Sequence, residues 1–243
     1  MSLTNRQIKL VNSLHSKKGR KDNLKFLVEG EKVINELMSS NWKIDFIIIN
    51  EKFKDLFENH SNIYFLKENE ITKFSSLNTN TFGIAVVDMQ EFECNFNEIE
   101  GTCVYLDGIR DPGNLGTIIR ICDWYGIKNL FVSIDTTEFY NPKTIISTMG
   151  SFTRVHVIPI DISNLKKSLP EFNFVGTFLN GHSIYDYTFK KNQIIVLGNE
   201  SFGIRPEVES LINDKITIPR IGEAESLNVG ISTAIVLDNV FRK

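Results

Sequence analysis

Three stretches of this sequence combine residue types that can hold a polar ligand. They read NLGTIIR at 114–120, VLGNESFGI at 196–204 and IPRIGEAESLNVGISTAI at 218–235. Each lies where an apolar run of strand type meets a predicted helix, and backbone N–H groups at a helix start can bind anions. The third is the most complete, because a short apolar run ends at Pro219 and a polar loop then leads into an apolar helix. We expect the three stretches to build one active site.

Each polar residue in these stretches also has a purely structural interpretation. Arg120 lies among apolar residues, and because an unpaired buried charge is costly, it should pair with a carboxylate or with a phosphate. Glu200 follows a strand and can either accept from backbone N–H groups of a neighbouring loop or orient a substrate. Asn114 can cap the helix that contains Arg120. Ser226 is predicted as the N-cap of the last helix, and Asn228 could also merely cap it.

The remaining motifs argue against other common chemistries. No GxGxxG follows the first strand of either domain and no GxxxxGK[ST] occurs, which counts against an ordinary dinucleotide site and a P-loop kinase. The histidines are scattered and the cysteines have no CxxC spacing, so no metal site is predicted. An odd, sparse cysteine count favours reduced thiols and a cytoplasmic protein. These residues are Cys94, Cys103, Cys122, His15, His60, His156 and His182.

Length and composition indicate a globular protein of one large or two small domains. The chain has 243 residues, of which 42% are hydrophobic and 23% are charged. No apolar run approaches the roughly 20 residues of a membrane span, and no apolar core of a signal peptide follows the first charges. We therefore expect no membrane partner.

The charge is unevenly distributed along the chain. The net charge is −3, yet residues 1–25 contain seven basic side chains and one acid. This asymmetry is typical of a basic arm that binds a polyanion, and it also fits a solvated N-terminal helix. If the arm binds RNA, its contacts come from Arg6, Lys9, Lys17, Lys18, Arg20 and Lys21.

Strands alternate with helices throughout, which predicts an α/β protein with parallel or mixed sheets. A capped helix begins at Thr4, and further helices are predicted at 31–38, 51–58, 70–74, 115–125, 143–149, 164–169, 205–211 and 227–241. Strands are predicted at 24–28, 44–49, 63–66, 83–87, 103–106, 130–132, 155–158, 174–178, 194–197 and 215–218. Residues 88–101 contain five acids and no Lys or Arg. We therefore predict a domain at 1–90, an acidic linker at 91–100 and a second domain at 101–243.

Ligands of open α/β sheets bind outside the carboxyl ends of the strands. In the second domain these ends carry Asp107-Gly108 and the segments 177–181, 198–203 and 219–226. The polar residues of the three stretches are thus expected to converge at one edge of a single sheet.

Taken together and in this order, the three stretches resemble the motifs of the SpoU (TrmH-like) family of RNA ribose 2′-O-methyltransferases, within the SPOUT class. The resemblance is close over about residues 100–243. The first ninety residues look like the small, ribosomal-protein-like RNA-binding domain of that family, mainly through FLVEGEKVI at 26–34 and the order of elements. Arg220 departs from the family pattern, which often has an apolar residue after the proline, and Gly230-Ile231 departs from it within the third motif.

The resemblance implies a fold, a cofactor and a set of roles. It implies a trefoil-knotted parallel-sheet catalytic domain, S-adenosylmethionine as methyl donor without a metal, and a homodimer. The cofactor would be bound by Thr177, Leu179, Gly198, Ile218 and Leu227. The catalytic ribose site would consist of Asn114, Arg120, Glu200, Ser226 and Asn228.

These residue types suit methyl transfer to a ribose hydroxyl. In-line positioning of two reactants can supply on the order of 7–11 kcal/mol in favourable cases. A guanidinium hardly ever deprotonates in a protein, so Arg120 is expected to hold a phosphate or stabilise the developing alkoxide rather than act as a base. The sequence thus predicts a cytoplasmic RNA 2′-O-methyltransferase, with ribosomal RNA favoured over transfer RNA. The alternatives are a non-catalytic RNA-binding or ribosome-assembly protein on the same scaffold and, less favoured, a small-molecule methyltransferase.

Overall fold

The computed structural model describes residues 3–57 and 62–242. Contacts divide the chain into two compact units. The first comprises Met1–Glu91 together with Glu138–Thr153, and the second comprises Phe92–Thr137 together with Arg154–Lys243. None of the helices in the described residues is long and apolar enough to span a bilayer.

The first unit contains a four-stranded mixed sheet. Its elements are α1 (Asn5–Leu14), α2 (Lys17–Asn23), β1 (Lys25–Glu29), α3 (Glu31–Met38), β2 (Ile44–Asn50), β3 (Ile63–Leu66), α4 (Glu68–Ile71) and β4 (Gly83–Asp88). The strand order is β1-β4-β2-β3, in which β4 runs antiparallel to both of its neighbours and β2 runs parallel to β3. The four predicted strands and the predicted mixed sheet are confirmed.

Helix caps explain where the first unit agrees with the sequence and where it differs. The predicted capping box is present, with Thr4 accepting from the Gln7 backbone and Gln7 accepting from the Thr4 backbone. The separate helix α2 is not among the predicted elements, although Ser16 caps it by accepting from Gly19 N–H at 3.0 Å. The helix predicted at 51–58 is a 3-10 helix over Glu51–Leu56, and residue 58 lies outside the described residues.

The second unit is built on a six-stranded, wholly parallel sheet. Its strands are β5 (Thr102–Leu106), β6 (Asn129–Val132), β7 (His156–Pro159), β8 (Asn173–Ser183), β9 (Gln193–Leu197) and β10 (Asp214–Thr217), in the order β10-β8-β9-β5-β6-β7. Its helices are α5 (Pro112–Trp124), α7 (Ile162–Ser168), α8 (Pro206–Glu209) and α9 (Val229–Phe241), while α6 (Pro142–Ser147) belongs to the first unit. All six predicted strands are confirmed. The knot stays a prediction.

Strand β8 is interrupted at the edge where ligands are expected. Its pairing with β10 runs through Gly176 opposite Lys215, and then resumes with His182 opposite Ile216. Consecutive residues of β10 are thus matched across a five-residue excursion of β8, residues 177–181. A Cβ at Gly181 would lie 2.8 Å from the Lys215 carbonyl oxygen, so only glycine permits this close approach.

The connection between β6 and β7 contributes residues 138–153 to the first unit. The sequence assigns these residues to the second domain, but their aromatic side chains complete a cluster in the first unit. Tyr140 and Phe152 pack on Phe26 with ring centroids 4.7 and 6.0 Å apart, and Phe152 lies 5.4 Å from Trp42. Strand alternation along the chain carries no information about such a tertiary contact.

Apart from Glu91, the acidic segment 91–100 packs within the second unit. Phe92 stacks on His156 at 4.7 Å and Phe96 stacks on Phe131 at 6.2 Å. Its aromatic residues therefore pack against the second core, whereas the acidic composition alone suggests a solvated linker.

Arg20 forms a buried ion pair that should stabilise the first unit. Its side chain is 3% exposed and donates to Glu138 at 2.7 Å and to the Leu14 carbonyl at 2.9 Å. We expect Glu138→Ala to lower the free energy of unfolding by about 3 kcal/mol, because it leaves a buried guanidinium unpaired. Urea denaturation of the full chain measures this. Lys52→Ala, which breaks an exposed pair with Glu68, should cost less than about 1 kcal/mol. Equal costs for the two variants would contradict the buried pair.

Candidate active site

A chain of hydrogen bonds joins one residue from each of the three motif stretches. The Asn228 side-chain amide donates to Asn114 Oδ1 at 2.9 Å, and Asn114 Nδ2 donates to Glu200 Oε1 at 2.5 Å. Asn114 lies on α5, Glu200 follows β9, and Asn228 precedes α9. The prediction that the three stretches build one site is thus supported by direct contact between their polar residues.

The direction of these hydrogen bonds is determined by the backbone of α9. Asn228 Oδ1 accepts from the N–H groups of Gly230 at 2.9 Å and Ile231 at 3.3 Å. Because a backbone N–H can only donate, the Asn228 oxygen must face the helix and its nitrogen must face Asn114. The Asn114 oxygen is then occupied, so its nitrogen faces Glu200. Each amide keeps one N–H, and Glu200 keeps one oxygen, for a ligand.

The N-caps of α5 and α9 are not the residues that the sequence predicts. Asp111, not Asn114, is the N-cap of α5 and accepts from Asn114 N–H at 3.0 Å. Asn228, not Ser226, is the N-cap of α9. The three residue types have similar capping preferences, so the position at which the backbone turns decides the cap, and Asn114 is left in the first turn with its amide free to bond across the site.

Among the described residues of one subunit, neither Arg120 nor Ser226 joins the hydrogen-bonded side chains of Asn228, Asn114 and Glu200. Arg120 is exposed and has no ion pair among the described residues, so the structural ion-pair interpretation is wrong. It lies six residues beyond Asn114, about 9 Å along the helix and on a different face. Ser226 lies in the exposed irregular loop 219–227. Of the two alternatives for Glu200, a bond to loop backbone is not seen in the described residues; within its own loop Asn199 Oδ1 accepts from Ser201 N–H at 2.8 Å.

A second network, which the sequence analysis missed, supports the Glu200 loop. Asp107 is fully buried after β5 and accepts from the Arg205 backbone N–H and Nε, both at 2.8 Å. Arg205 also bonds Asp135, at 3.2 and 3.3 Å, and Asn199 Nδ2 donates to the Gly108 carbonyl at 2.6 Å. The available signal was Asp107 itself, since an acid directly after a buried strand needs a partner.

Despite burial, pairing with Arg205 contributes to a lowered pKa of Asp135. Burial alone would raise the pKa of this carboxyl group. A hydrogen bond from Ser133 and the positive charge of Arg205 outweigh the burial, and the pKa of Asp135 falls below its ordinary value. Asp135 is therefore ionised at neutral pH, and the hydrogen-bonded Asp107–Arg205–Asp135 network links the ends of β5 and β6 to the Glu200 loop.

The residues predicted to bind a cofactor lie in the 177–181 excursion of β8, directly after β9 and β10, and before α9. Thr177 Oγ1 donates to the Val196 carbonyl at 3.2 Å, and Thr217 donates to the Leu179 carbonyl at 3.1 Å. Leu179 is 74% exposed, and Leu227 is 47% exposed. Gly198 approaches Gly203 so closely that a Cβ would lie 2.2 Å from the Gly203 carbonyl carbon. Ile218 directly follows β10. These residues leave apolar surface beside a loop, 219–227, whose N–H groups make no backbone hydrogen bond in the described chain.

The cysteines are free thiols unsuited to nucleophilic catalysis. Burial raises the pKa of Cys103 to about 12, and burial also raises the pKa values of Cys94 and Cys122. A thiol with a raised pKa is protonated at neutral pH and is a poor nucleophile. No group of side chains suited to a metal ion occurs in residues 3–57 and 62–242.

The basic residues of the first two helices divide into an exposed set and a buried residue. Arg20 is only 2% exposed and is bound by Glu138 and backbone carbonyls, which argues against its predicted RNA contact. The other predicted contacts remain on the surface, without ion pairs in the described chain: Arg6, Lys9, Lys17, Lys18 and Lys21.

Comparison with known families matches both units. Residues 101–238 match the SpoU rRNA Methylase family, and residues 5–83 match the MRM3-like substrate binding domain. Among curated proteins, the 23S rRNA (guanosine(2553)-2′-O)-methyltransferase RlmP of Bacillus subtilis (strain 168) is 28% identical over 97% of this chain and 96% of its own length.

Solved structures resemble the whole chain. A structure from Porphyromonas gingivalis, described as a possible RNA methyltransferase of the TrmH family, has a TM-score of 0.87 and 32% identity, covering 100% of this chain and 99% of its own. The AdoMet-bound rRNA methyltransferase from Sinorhizobium meliloti has a TM-score of 0.86 and 25% identity, covering 100% of this chain and 96% of its own. The likeness includes the substrate-binding unit as well as the parallel sheet.

The Asp107 network predicts a stability difference between two neighbouring carboxylates. Asp107→Asn should cost about 3 kcal/mol of unfolding free energy, because it leaves Arg205 without its buried partner. Asp135→Asn should cost less than about 1 kcal/mol, since Asp135 is half exposed. Urea denaturation gives both values, and hydrogen exchange of the 199–205 amides should accelerate only in Asp107→Asn. Similar values for the two variants would argue against the network.

Proposed function

This chain belongs to the SpoU rRNA methylase family, and from that premise we propose that it transfers a methyl group from S-adenosylmethionine to a ribose 2′-hydroxyl in RNA. The observation that carries the proposal is the hydrogen-bonded chain of Asn228, Asn114 and Glu200, which presents unused donors and one carboxylate oxygen to a ligand. Ribosomal RNA is the favoured substrate, because the curated relative RlmP is a 23S rRNA methyltransferase.

The carboxyl edge of the sheet fits S-adenosylmethionine. The adenine ring and the amino acid part of the cofactor need apolar surface and backbone donors, and the exposed Leu179 and Leu227 beside the loop 219–227 offer both. Leu179, Ile218 and Leu227 would contact the cofactor, with Thr177 and Gly198 shaping the strand ends. When bound, the cofactor supplies a methyl group on a positively charged sulfur.

Each polar residue of the proposed ribose site then has its own role. Free N–H groups of Asn114 and Asn228 can hold the ribose oxygens, and Glu200 fixes the orientation of the Asn114 amide. Ser226, in the exposed loop, can reach the same ribose. The Arg120 guanidinium stabilises the developing alkoxide or an adjacent phosphate.

We further propose a homodimer in which Arg120 serves the partner's site. Arg120 lies one helical turn from Trp124, which is 84% exposed, and α9 adds the exposed Ile231 and Phe241. Tyr125 stacks on Phe241 at 5.4 Å, so the C-terminal ends of the two helices carry adjoining aromatic side chains on one face. A two-fold contact through this face would cover it and would create two equivalent sites.

The first unit is proposed to bind the RNA through its basic helices. Five exposed basic side chains on α1 and α2 can contact phosphates, in addition to the matching substrate-binding family. The free cysteines support a cytoplasmic location for this reaction.

Methyl incorporation into transcribed, unmodified RNA tests the proposed reaction. The full chain is incubated with tritiated S-adenosylmethionine and either ribosomal or transfer RNA transcripts, followed by alkaline hydrolysis. Label in alkali-stable dinucleotides identifies ribose methylation, because a 2′-O-methyl group blocks cleavage. We expect label in the ribosomal transcript. Binding of RNA without binding of S-adenosylmethionine in calorimetry would instead support the non-catalytic alternative.

The role of Glu200 is predicted to be positional. Glu200→Gln keeps an oxygen that accepts from Asn114 and should retain a large part of kcat, whereas Glu200→Ala should reduce kcat by about 100-fold or more, since misplacement of reacting groups can cost this much. Initial rates of methyl transfer give both values. If Gln and Ala are equally inactive, charge or proton transfer at Glu200 is required instead.

The dimer is predicted to show complementation between two inactive variants. Arg120→Ala and Glu200→Ala should each be nearly inactive as homodimers. In a mixed dimer one site carries both lesions and the other carries neither, so subunit exchange should restore up to about a quarter of wild-type activity. Glu200 is preferred to Asn228 as the second lesion because Asn228 also caps α9. No recovery in verified mixed dimers would place Arg120 in the site of its own chain.

A further inference from the structure

A partly exposed aromatic side chain, Phe202, lies close in sequence to the proposed ribose site. Phe202 is 49% exposed and lies two residues after Glu200. The guanidinium carbon of Arg110 lies 5.9 Å from the ring centroid, in cation–π range. Below the ring is Gly108, where a Cβ would lie 3.4 Å from Phe202 Cζ. The ring therefore rests on backbone along one edge and leaves part of its face open.

The loop that carries this ring is held on both sides. The backbones of Asn199 and Gly203 exchange two hydrogen bonds of 2.9 Å, and Asn199 also bonds Gly108 and Ser201. Arg205, directly after the loop, is bound by buried Asp107. The backbone that carries Phe202 is thus held in place at both ends of the loop.

We propose that Phe202 and Arg110 form a stacking platform for an unpaired RNA base next to the acceptor ribose, an inference that rests on the proposed function. Unpaired RNA bases stack on aromatic side chains and on guanidinium planes, largely without regard to base identity. Two residues span at most about 7 Å, which corresponds to about two base steps of 3.4 Å. The stacked base therefore belongs to the acceptor nucleotide or to a close neighbour.

The platform lies apart from two of the proposed cofactor residues, although Gly198, at the end of β9, packs against Gly203 of the Phe202 loop. Leu179 lies in the 177–181 excursion of β8 and Ile218 follows β10, whereas Phe202 lies over Gly108 at the end of β5. In the strand order β10-β8-β9-β5, strands β8 and β5 are two spacings apart, about 10 Å. The positive charge of Arg110 also favours a polyanion over a second copy of this chain, whose proposed contact face is apolar.

The platform is tested with two single-stranded probes that differ only in their bases. One is a twelve-nucleotide oligoadenylate, and the other is an abasic ribose-phosphate chain of the same length. For the full chain at fixed salt, Phe202→Ala should weaken oligoadenylate binding about fivefold or more, with the abasic chain unaffected. Phe202→Tyr should stay within about twofold of wild type, whereas Phe202→Leu should behave like Phe202→Ala. Arg110→Ala should also weaken oligoadenylate binding. The matched control is Ile134→Ala, which removes another exposed apolar side chain of this unit and should change neither affinity.

Several outcomes would overturn the platform. Equal losses for both probes, wild-type affinity in Phe202→Leu, or equal losses in Ile134→Ala would each exclude base stacking. A loss of S-adenosylmethionine affinity in Phe202→Ala with unchanged RNA binding would place the ring in the cofactor site, and dissociation of a dimer in sedimentation would place it in a protein interface. Methyl transfer by the wild-type chain with unaltered Phe202→Ala binding refutes the platform alone. Base-dependent binding without methyl transfer refutes the proposed reaction alone.

Discussion

The candidate site depends on one directional constraint, the inability of a backbone N–H to accept a hydrogen bond. The first N–H groups of α9 require the oxygen of Asn228, and that requirement passes through Asn114 to Glu200. Two side-chain amides that could otherwise flip are thereby held in one orientation each. The free N–H groups and the free carboxylate oxygen then face a ligand without any reorganisation, which is the condition under which positioned dipoles contribute most to catalysis.

This chain of amides is held in place by the strand ends beneath it. Buried Asp107 needs a cation, Arg205 supplies it, and the intervening loop carries Asn199 and Glu200. The ion pair is costly to break from one side because the remaining charge would be left buried. The same loop presents Phe202, so one network supports both the ribose contacts and the proposed stacking platform. The network that stabilises the sheet edge therefore also positions the residues of the site.

Much of the fold could be predicted because its strands are short apolar runs between turn residues, and all ten occur within one or two residues of the predicted starts. The extent of β8 and the caps were harder. Ser226 and Asn228 are both good caps, and the choice between them depends on where the backbone turns, which spacing does not reveal. Arg20 shows the same limit, because its position among exposed bases gives no sign that Glu138, more than a hundred residues away, buries it.

The contrast between Arg120 and the other site residues is itself informative. Asn114, Glu200 and Asn228 hydrogen-bond to one another within a single chain, whereas Arg120 is exposed one helical turn from the exposed Trp124. An exposed guanidinium costs the folded chain little, so the subunit can be stable before its reaction machinery is complete. If a partner brings its own Arg120 to the hydrogen-bonded amides, the charge that stabilises the reaction is added only on assembly. Folding of one chain then positions the nucleophile, and dimer formation supplies the electrostatic part of catalysis.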